Sequence, residues 1–205
     1  MDILVPCKGI VTGKSRLRAC LGAAERRELC EWFLTNILNV AVRLAGPNRV
    51  HVITSEPEAA AVARRFAVRL IADPGRGLNE ALEVARAKLL SDVGSGILIL
   101  PTDLPYVDDE ALAKILGYEG DMVVAPDERG TGTNALYLRN AAIRELLFTF
   151  GSNSFAAHLA SARALCLSAQ VLRDWRLGFD IDEPTQYFEW LENSGVELPR
   201  LLVSK

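Results

Sequence analysis

Histidine is almost missing from this sequence: only His51 and His158 occur. That scarcity argues against a metal cage built on imidazoles, and it points any bound metal toward a hard cation held by carboxylates. Cysteine is sparse too. Cys7, Cys20, Cys30 and Cys166 lie far apart with no C-x-x-C pair, so zinc and redox motifs give way to buried free thiols in a reducing cytosol. No stretch approaches the ~20 apolar residues that a membrane span needs. The opening Met1-Asp2-Ile3-Leu4-Val5-Pro6 has no basic n-region and reads as a buried first strand rather than a signal peptide. A net charge of −3 offers no basic field for nucleic acid, and no polybasic run offers one for anionic lipid. These absences describe a cytoplasmic protein with neither nucleic acid nor membrane as a partner.

What is present is apolar and periodic. Half of the 205 residues are hydrophobic, enough for a sizeable core within a single domain spanning residues 1–205. Short apolar runs at Ile3–Val5, Val50–Thr54, Val68–Ala72 and Gly96–Leu100 read as strands. They alternate with helical spacing over Ala23–Leu44, about Pro57–Phe66, Leu78–Leu90 and Asp109–Leu116. The run Gly-Ile-Leu-Ile-Leu is expected to be a central parallel strand, buried on both faces. After Asp121 the rhythm changes. Met122–Ala125 and Ala135–Leu138 look like strands joined by a loop too short for a helix, which makes the second half partly antiparallel. The expectation is an α/β fold: a mixed central sheet with helices on both faces.

Such sheets take ligands beyond the carboxyl ends of their strands, and four polar segments fall there. After the first strand come Lys8, Lys14 and Arg16. Gly13-Lys14-Ser15 ends like a phosphate-binding Walker loop, but position 8 is Lys where that motif needs Gly. The cations fit either a polyphosphate cradle ahead of a helix N-terminus or a solvated basic turn. Asp103 follows the most buried strand, in Pro101-Thr102-Asp103-Leu104-Pro105. A metal-gripping role suits it, since Asp108 is better placed to cap the helix from Asp109. Gly130-Thr131-Gly132-Thr133-Asn134 and Gly151-Ser152-Asn153-Ser154 offer amides and hydroxyls to an anion, or else are ordinary turn and cap chemistry. Asp180 and Asp182 sit two apart, so an extended backbone projects both to one face. With Asp103 they make a three-carboxylate set suited to magnesium; alternatively Asp182 caps the helix starting at Pro184.

In order along the chain, several segments resemble the guanylyltransferases of deazaflavin coenzyme F-420 biosynthesis. They are Val5-Pro6-x-Lys8, Lys14-Ser15-Arg16-Leu17, Gly77-Leu78-Asn79-x-Ala81-Leu82, Thr102-Asp103-Leu104-Pro105, Pro126-Asp127, Gly130-Thr131-Gly132-Thr133-Asn134, Phe150-Gly151-x-x-Ser154-Phe155 and Asp180-Ile181-Asp182-x-Pro184. The resemblance implies a Rossmann-like nucleotidyltransferase fold and transfer of GMP from GTP to 2-phospho-L-lactate, phosphoenolpyruvate or 3-phospho-D-glycerate. It further implies magnesium on Asp103, Asp180 and Asp182, with Lys14, Arg16 and Asp103 in catalysis. Lys8, Lys14 and Arg16 would hold the triphosphate, while Gly77 and Asn79 would lie against base and ribose. The phosphorylated acid would rest on Thr133, Gly151 and Ser154, and a homodimer is compatible with this reading. Ser152 departs from a common Pro, and Glu128 alters the approach to the Gly-Thr-Gly-Thr loop. The alternatives are a sugar-1-phosphate or molybdenum-cofactor nucleotidyltransferase, or a non-catalytic nucleotide-binding regulatory module.

Overall fold

The computed structural model describes residues 1–92 and 94–195. Among them, seven strands form one sheet in the order β3-β2-β1-β4-β6-β5-β7. The strands are β1 (Asp2–Pro6), β2 (Val50–Thr54), β3 (Arg69–Ala72), β4 (Ile97–Ile99), β5 (Met122–Pro126), β6 (Thr133–Leu138) and β7 (Ala169–Val171). β1 pairs in parallel with β2 and β4, β2 with β3, and β5 with β7, whereas β6 runs antiparallel to both neighbours. The mixed sheet is therefore as expected, with two amendments. Thr133 and Asn134 belong to β6 rather than to the preceding loop. The edge strand β7 has no counterpart in the apolar pattern, because all three of its residues are exposed.

Central strands are buried along nearly their whole length, yet their alternation still sorts two cores. Ile3, Val5, Leu98, Leu100, Val123 and Tyr137 pack on one face against α1 (Ala23–Ala45), α2 (Pro57–Arg65) and α4 (Asp109–Gly117). Leu4, Ile97, Ile99, Val124, Leu136 and Leu138 pack on the other against α3 (Leu78–Leu89), the short α5 (Ala142–Glu145) and α6 (Ser154–Ala164). Asp108 caps α4 as expected, its carboxylate accepting from the Ala111 amide at 2.8 Å. At the basic segment α1 begins at Ala23, as its spacing predicts, and a 3-10 turn at Ser15–Ala19 separates it from Lys14. One expectation fails. It lies at Cys166, which is exposed rather than buried.

A third apolar cluster fastens the end of the described chain to the body. Trp190 of α8 (Pro184–Ser194) is fully buried against Trp32 and Phe33 of α1, with ring centroids 4.9 and 6.2 Å away. Leu17, Leu29, Phe179 and Ile181 join it. The cluster thus spans α1, the 3-10 turn and the strandless run just after α7 (Trp175–Gly178). Among the described residues, no helix is long and apolar enough to cross a membrane. Removing the central ring leaves a cavity that the surrounding helices cannot fill. Trp190→Ala is expected to lose about 3–5 kcal/mol in urea unfolding, while Val171→Ala on the exposed edge strand changes it by less than about 0.5 kcal/mol. Comparable losses in the two variants would show that the third cluster does not anchor α8.

Candidate active site

Beyond the carboxyl ends of β1 and β4 the backbone leaves the sheet, and three carboxylates converge there. One oxygen from each of Asp103, Asp180 and Asp182 lies within 4.8 Å of the others. The convergence has a backbone cause: the Ile181 amide donates to the Asp103 carbonyl at 3.2 Å. Ile181 is fully buried in the third cluster, so Asp180 and Asp182 on either side of it face away from that cluster. Asp182 is not the cap of α8. Glu183 holds that position, and the Gln186 side-chain oxygen accepts from the Asp182 and Glu183 amides at 2.9 and 3.0 Å.

Three like charges this close need compensation, and Lys14 supplies part of it. Its ammonium reaches Asp103 at 2.8 Å and Asp182 at 2.9 Å. Burial alone would lower the Lys14 pKa, but the two carboxylates more than reverse that and raise it. Arg16 adds a contact to Asp182 at 3.2 Å. Burial works against ionising Asp182, yet Lys14, Arg16 and Arg129 hold its carboxyl below the usual range. Asp180 is left short. Burial, followed by the charges of Asp103 and Asp182, pushes its carboxyl up to about 6. Of the three carboxylates, Asp180 is thus the one that burial and its neighbours make hardest to ionise. Hard oxygen donors at this spacing fit a divalent cation such as magnesium.

Cavities open on both sides of the carboxylates. The larger, about 670 Å³, is lined by Thr133, Gly151, Ser154, Arg16, Asp180 and Asp182 among others. A smaller one of about 170 Å³ holds Lys8, Lys14, Thr102, Asp103 and Asp182. A third, about 150 Å³, lies between Leu78, Phe150, Asp103 and Asp180. Most of the expected site residues thus gather around one point. Arg16 lies on the side of Thr133 and Ser154 rather than with Lys8 and Lys14.

Several polar side chains of these segments are committed to partners within the protein. Asn79 clasps Phe150, its amide nitrogen donating to the Phe150 carbonyl at 3.0 Å and its oxygen accepting from the Phe150 amide at 2.8 Å. In that segment Gly77 is the N-cap of α3, at φ 104°, and Leu78 is the residue that faces the cavities. Asn134 donates to the carbonyls of Leu177 and Gly178 at 3.0 and 3.1 Å, fixing the turn that leads into Asp180. Thr131 bonds to Asp127 through both its amide and its hydroxyl, at 2.7 and 3.0 Å. The Phe155 amide donates to the Thr131 carbonyl at 3.1 Å, which ties the Gly-Thr-Gly-Thr loop to the start of α6.

Three contributors escaped the sequence reading. Glu56, at the head of α2, accepts from the Gly9 and Ile10 amides at 2.6 and 2.8 Å and so shapes the basic loop. That loop doubles back so tightly that a Cβ at Gly13 would lie 2.1 Å from the Gly9 carbonyl oxygen, which restricts the position to glycine. Arg129 lines the larger cleft; a lone Arg inside a Gly-rich loop was the available signal. His158 is fully buried, with Nδ1 3.0 Å from the Thr133 hydroxyl and Nε2 3.1 Å from the Thr149 amide. Its spacing of four from Ser154, one helical turn on the same face, was legible.

Known proteins share this fold, and some are similar in sequence over nearly the whole chain. The chain superposes on a putative nucleotide-diphospho-sugar transferase from Desulfovibrio desulfuricans with a TM-score of 0.75 at 19% identity, covering 95% of this chain and 88% of that one. A nucleotidyl transferase from Methanothermobacter superposes with a TM-score of 0.66 at 15% identity, covering 92% and 94%. At such identities the likeness speaks for the fold. In sequence, the chain is 34% identical to a phosphoenolpyruvate guanylyltransferase of Rubrobacter xylanophilus over 95% of each chain. It is 30% identical to a 2-phospho-L-lactate guanylyltransferase of Methanocaldococcus infernus over 100% of this chain and 91% of that one. Residues 1–194 match the family described as guanylyl transferase CofC like. The chain belongs to that family, and its activity is nucleotidyl transfer.

Proposed function

We propose that this protein is a cytoplasmic enzyme of coenzyme F-420 biosynthesis that transfers GMP from GTP to a small phosphorylated acid, phosphoenolpyruvate or 2-phospho-L-lactate, and releases pyrophosphate. The observation that carries the reading is the placement of three carboxylates between a lysine-bearing cavity and a cleft lined by hydroxyls and a helix start. Lys8 and Lys14 would take the triphosphate oxygens. Thr133, Gly151 and Ser154 would take the carboxylate and phosphate of the acid, and Arg16 would stand where the two substrates meet. Magnesium held by Asp103, Asp180 and Asp182 would screen the charge of the triphosphate and of the departing pyrophosphate.

A phosphate oxygen of the acid attacks the α-phosphorus in line. The new P–O bond forms as the bond from the α-phosphorus to the bridging oxygen breaks, and the electron pair leaves with pyrophosphate. The attacking phosphate is already largely ionised at neutral pH, so no protein group has to remove a proton. Positioning and charge stabilisation then account for the acceleration. Lys14 would shift from the Asp103–Asp182 pair to phosphate oxygens as the nucleotide enters, with Arg16 covering the charge on Asp182.

Pyrophosphate release, measured over four nucleoside triphosphates crossed with the three candidate acids, is expected to be strongest for GTP and to vanish when EDTA removes magnesium. Asp103→Asn and Asp182→Asn should each lower kcat roughly 10²–10³-fold with the circular-dichroism spectrum preserved. Near-normal turnover in both variants would remove the carboxylates from the chemistry.

The two cavities should also separate kinetically. Lys8→Ala is expected to raise the KM for GTP and leave that for the acid, while Ser154→Ala does the reverse, each by the equivalent of about 1–3 kcal/mol. An exchange of the two effects would mean that the substrates occupy the opposite cavities.

A further inference from the structure

His158 plays no part in the chemistry just described, yet it is a fully buried titratable side chain directly beneath the larger cleft. Its hydrogen bonds determine which nitrogen carries the proton. The Thr149 backbone amide points at Nε2 from 3.1 Å. A backbone N–H can only donate, so Nε2 must present its lone pair. Burial lowers the pKa of the ring to about 4, so the imidazole is neutral near pH 7 and its single proton sits on Nδ1. The opposite tautomer would set two donors against each other in a dry site.

The Nδ1 proton then meets the Thr133 hydroxyl oxygen 3.0 Å away, and that oxygen is the acceptor. The hydroxyl's own proton cannot point back toward Nδ1. Among the described residues, His158 is the only hydrogen-bond partner of the Thr133 side chain. Thr133 sits on β6 with a β-branched side chain that has little rotational freedom, and it lines the cleft. We propose that His158 is a positioning residue for the acceptor: it fixes Thr133 so that the hydroxyl donates into the cleft, toward an anionic oxygen of the phosphorylated acid. A hydroxyl free to rotate could equally present its lone pairs, which would repel such a ligand. The specificity for an anion is thus set one layer below the surface that touches it.

The same ring ties together the three parts of this wall. Thr133 belongs to β6, Thr149 leads through Phe150 into Gly151, and Ser154 lies one turn ahead of His158 on α6. Phe150 packs its ring edge-on to the imidazole at 4.9 Å and 70°, while Asn79 holds the Phe150 backbone from the other side. Displacing the ring would therefore disturb acid binding while leaving the lysine-bearing cavity alone.

The inference rests on reading the larger cleft as the acid site, and two substitutions divide its two hydrogen bonds. In His158→Gln the amide falls at the Nε2 position and can still accept from Thr149, but nothing donates to Thr133. In His158→Asn the amide nitrogen falls at the Nδ1 position and restores that donor. His158→Gln is expected to raise the KM for phosphoenolpyruvate about ten-fold with the GTP KM unmoved. His158→Asn should recover most of this loss, and Thr133→Val added to His158→Gln should cause little further loss. Nitrogen NMR of the wild-type ring should report a proton on Nδ1 and none on Nε2, whatever the variants do to folding. A proton on Nε2, equal changes in both KM values, or an Asn variant no better than Gln would overturn the proposal. A wild-type protein that transfers GMP to none of the acids would instead overturn the functional reading, and the ring tautomer would still be measured independently.

Discussion

Everything at this site depends on keeping three carboxylates within 4.8 Å of one another. Left to themselves, such charges would separate, because water solvates each of them better than a shared dry corner does. The fold opposes the separation with apolar anchoring. Phe179 and Ile181 bracket Asp180 and are buried with Trp190 and Phe33, so Asp180 and Asp182 cannot leave without exposing that cluster. The Ile181–Asp103 backbone bond then joins the loop after β4 to the run that carries the Asp pair. Lys14 reduces the remaining repulsion, while burial first, and then the charges of Asp103 and Asp182, raise the pKa of Asp180.

A second layer of polar groups holds the loops from behind. Glu56 and Asn79 each bond twice to backbone groups of segments that line the site, Asn134 donates to two carbonyls there, and Asp127 holds both the amide and the hydroxyl of Thr131. Loops carry few apolar anchors of their own, so a side chain bonded to two backbone groups is the available means of fixing them. Donors already aimed before a ligand arrives need less reorganisation when charge develops. The glycine at position 13 serves the same end sterically, since the basic loop closes on itself too tightly for any side chain there.

Arg16 illustrates how residues grouped in a linear reading can be parted by the fold. In sequence it is grouped with Lys8 and Lys14, and all three follow the first strand. The 3-10 turn at Ser15–Ala19 rotates it toward Asp182 and the larger cleft, while Lys14, held at φ 51°, turns inward to the carboxylates. Adjacent cations thereby come to face different cavities. The residues Thr131 and Asn134 show the complementary case: their chemistry suits an anion, but nearby backbone groups and Asp127 claim it first.

The amino-acid sequence alone determined the alternation of strands and helices, the change to antiparallel pairing after Asp121, the cap at Asp108 and the three metal-type carboxylates. Those features rest on local rules: periodicity in two or 3.6 residues, turn chemistry, and polar residues stranded at the ends of apolar runs. Tertiary structure alone decided the rest. The edge strand β7 forms because β5 offers it an unpaired backbone, although Ala169–Val171 is too short and too exposed to be marked as a strand by its own residues. Asn79 turned out to be a clasp, and His158 the support of Thr133, through partners 71 and 25 residues away. A hydrogen bond between distant residues leaves no period in the sequence, because its geometry exists only after the sheet and both cores have closed around it.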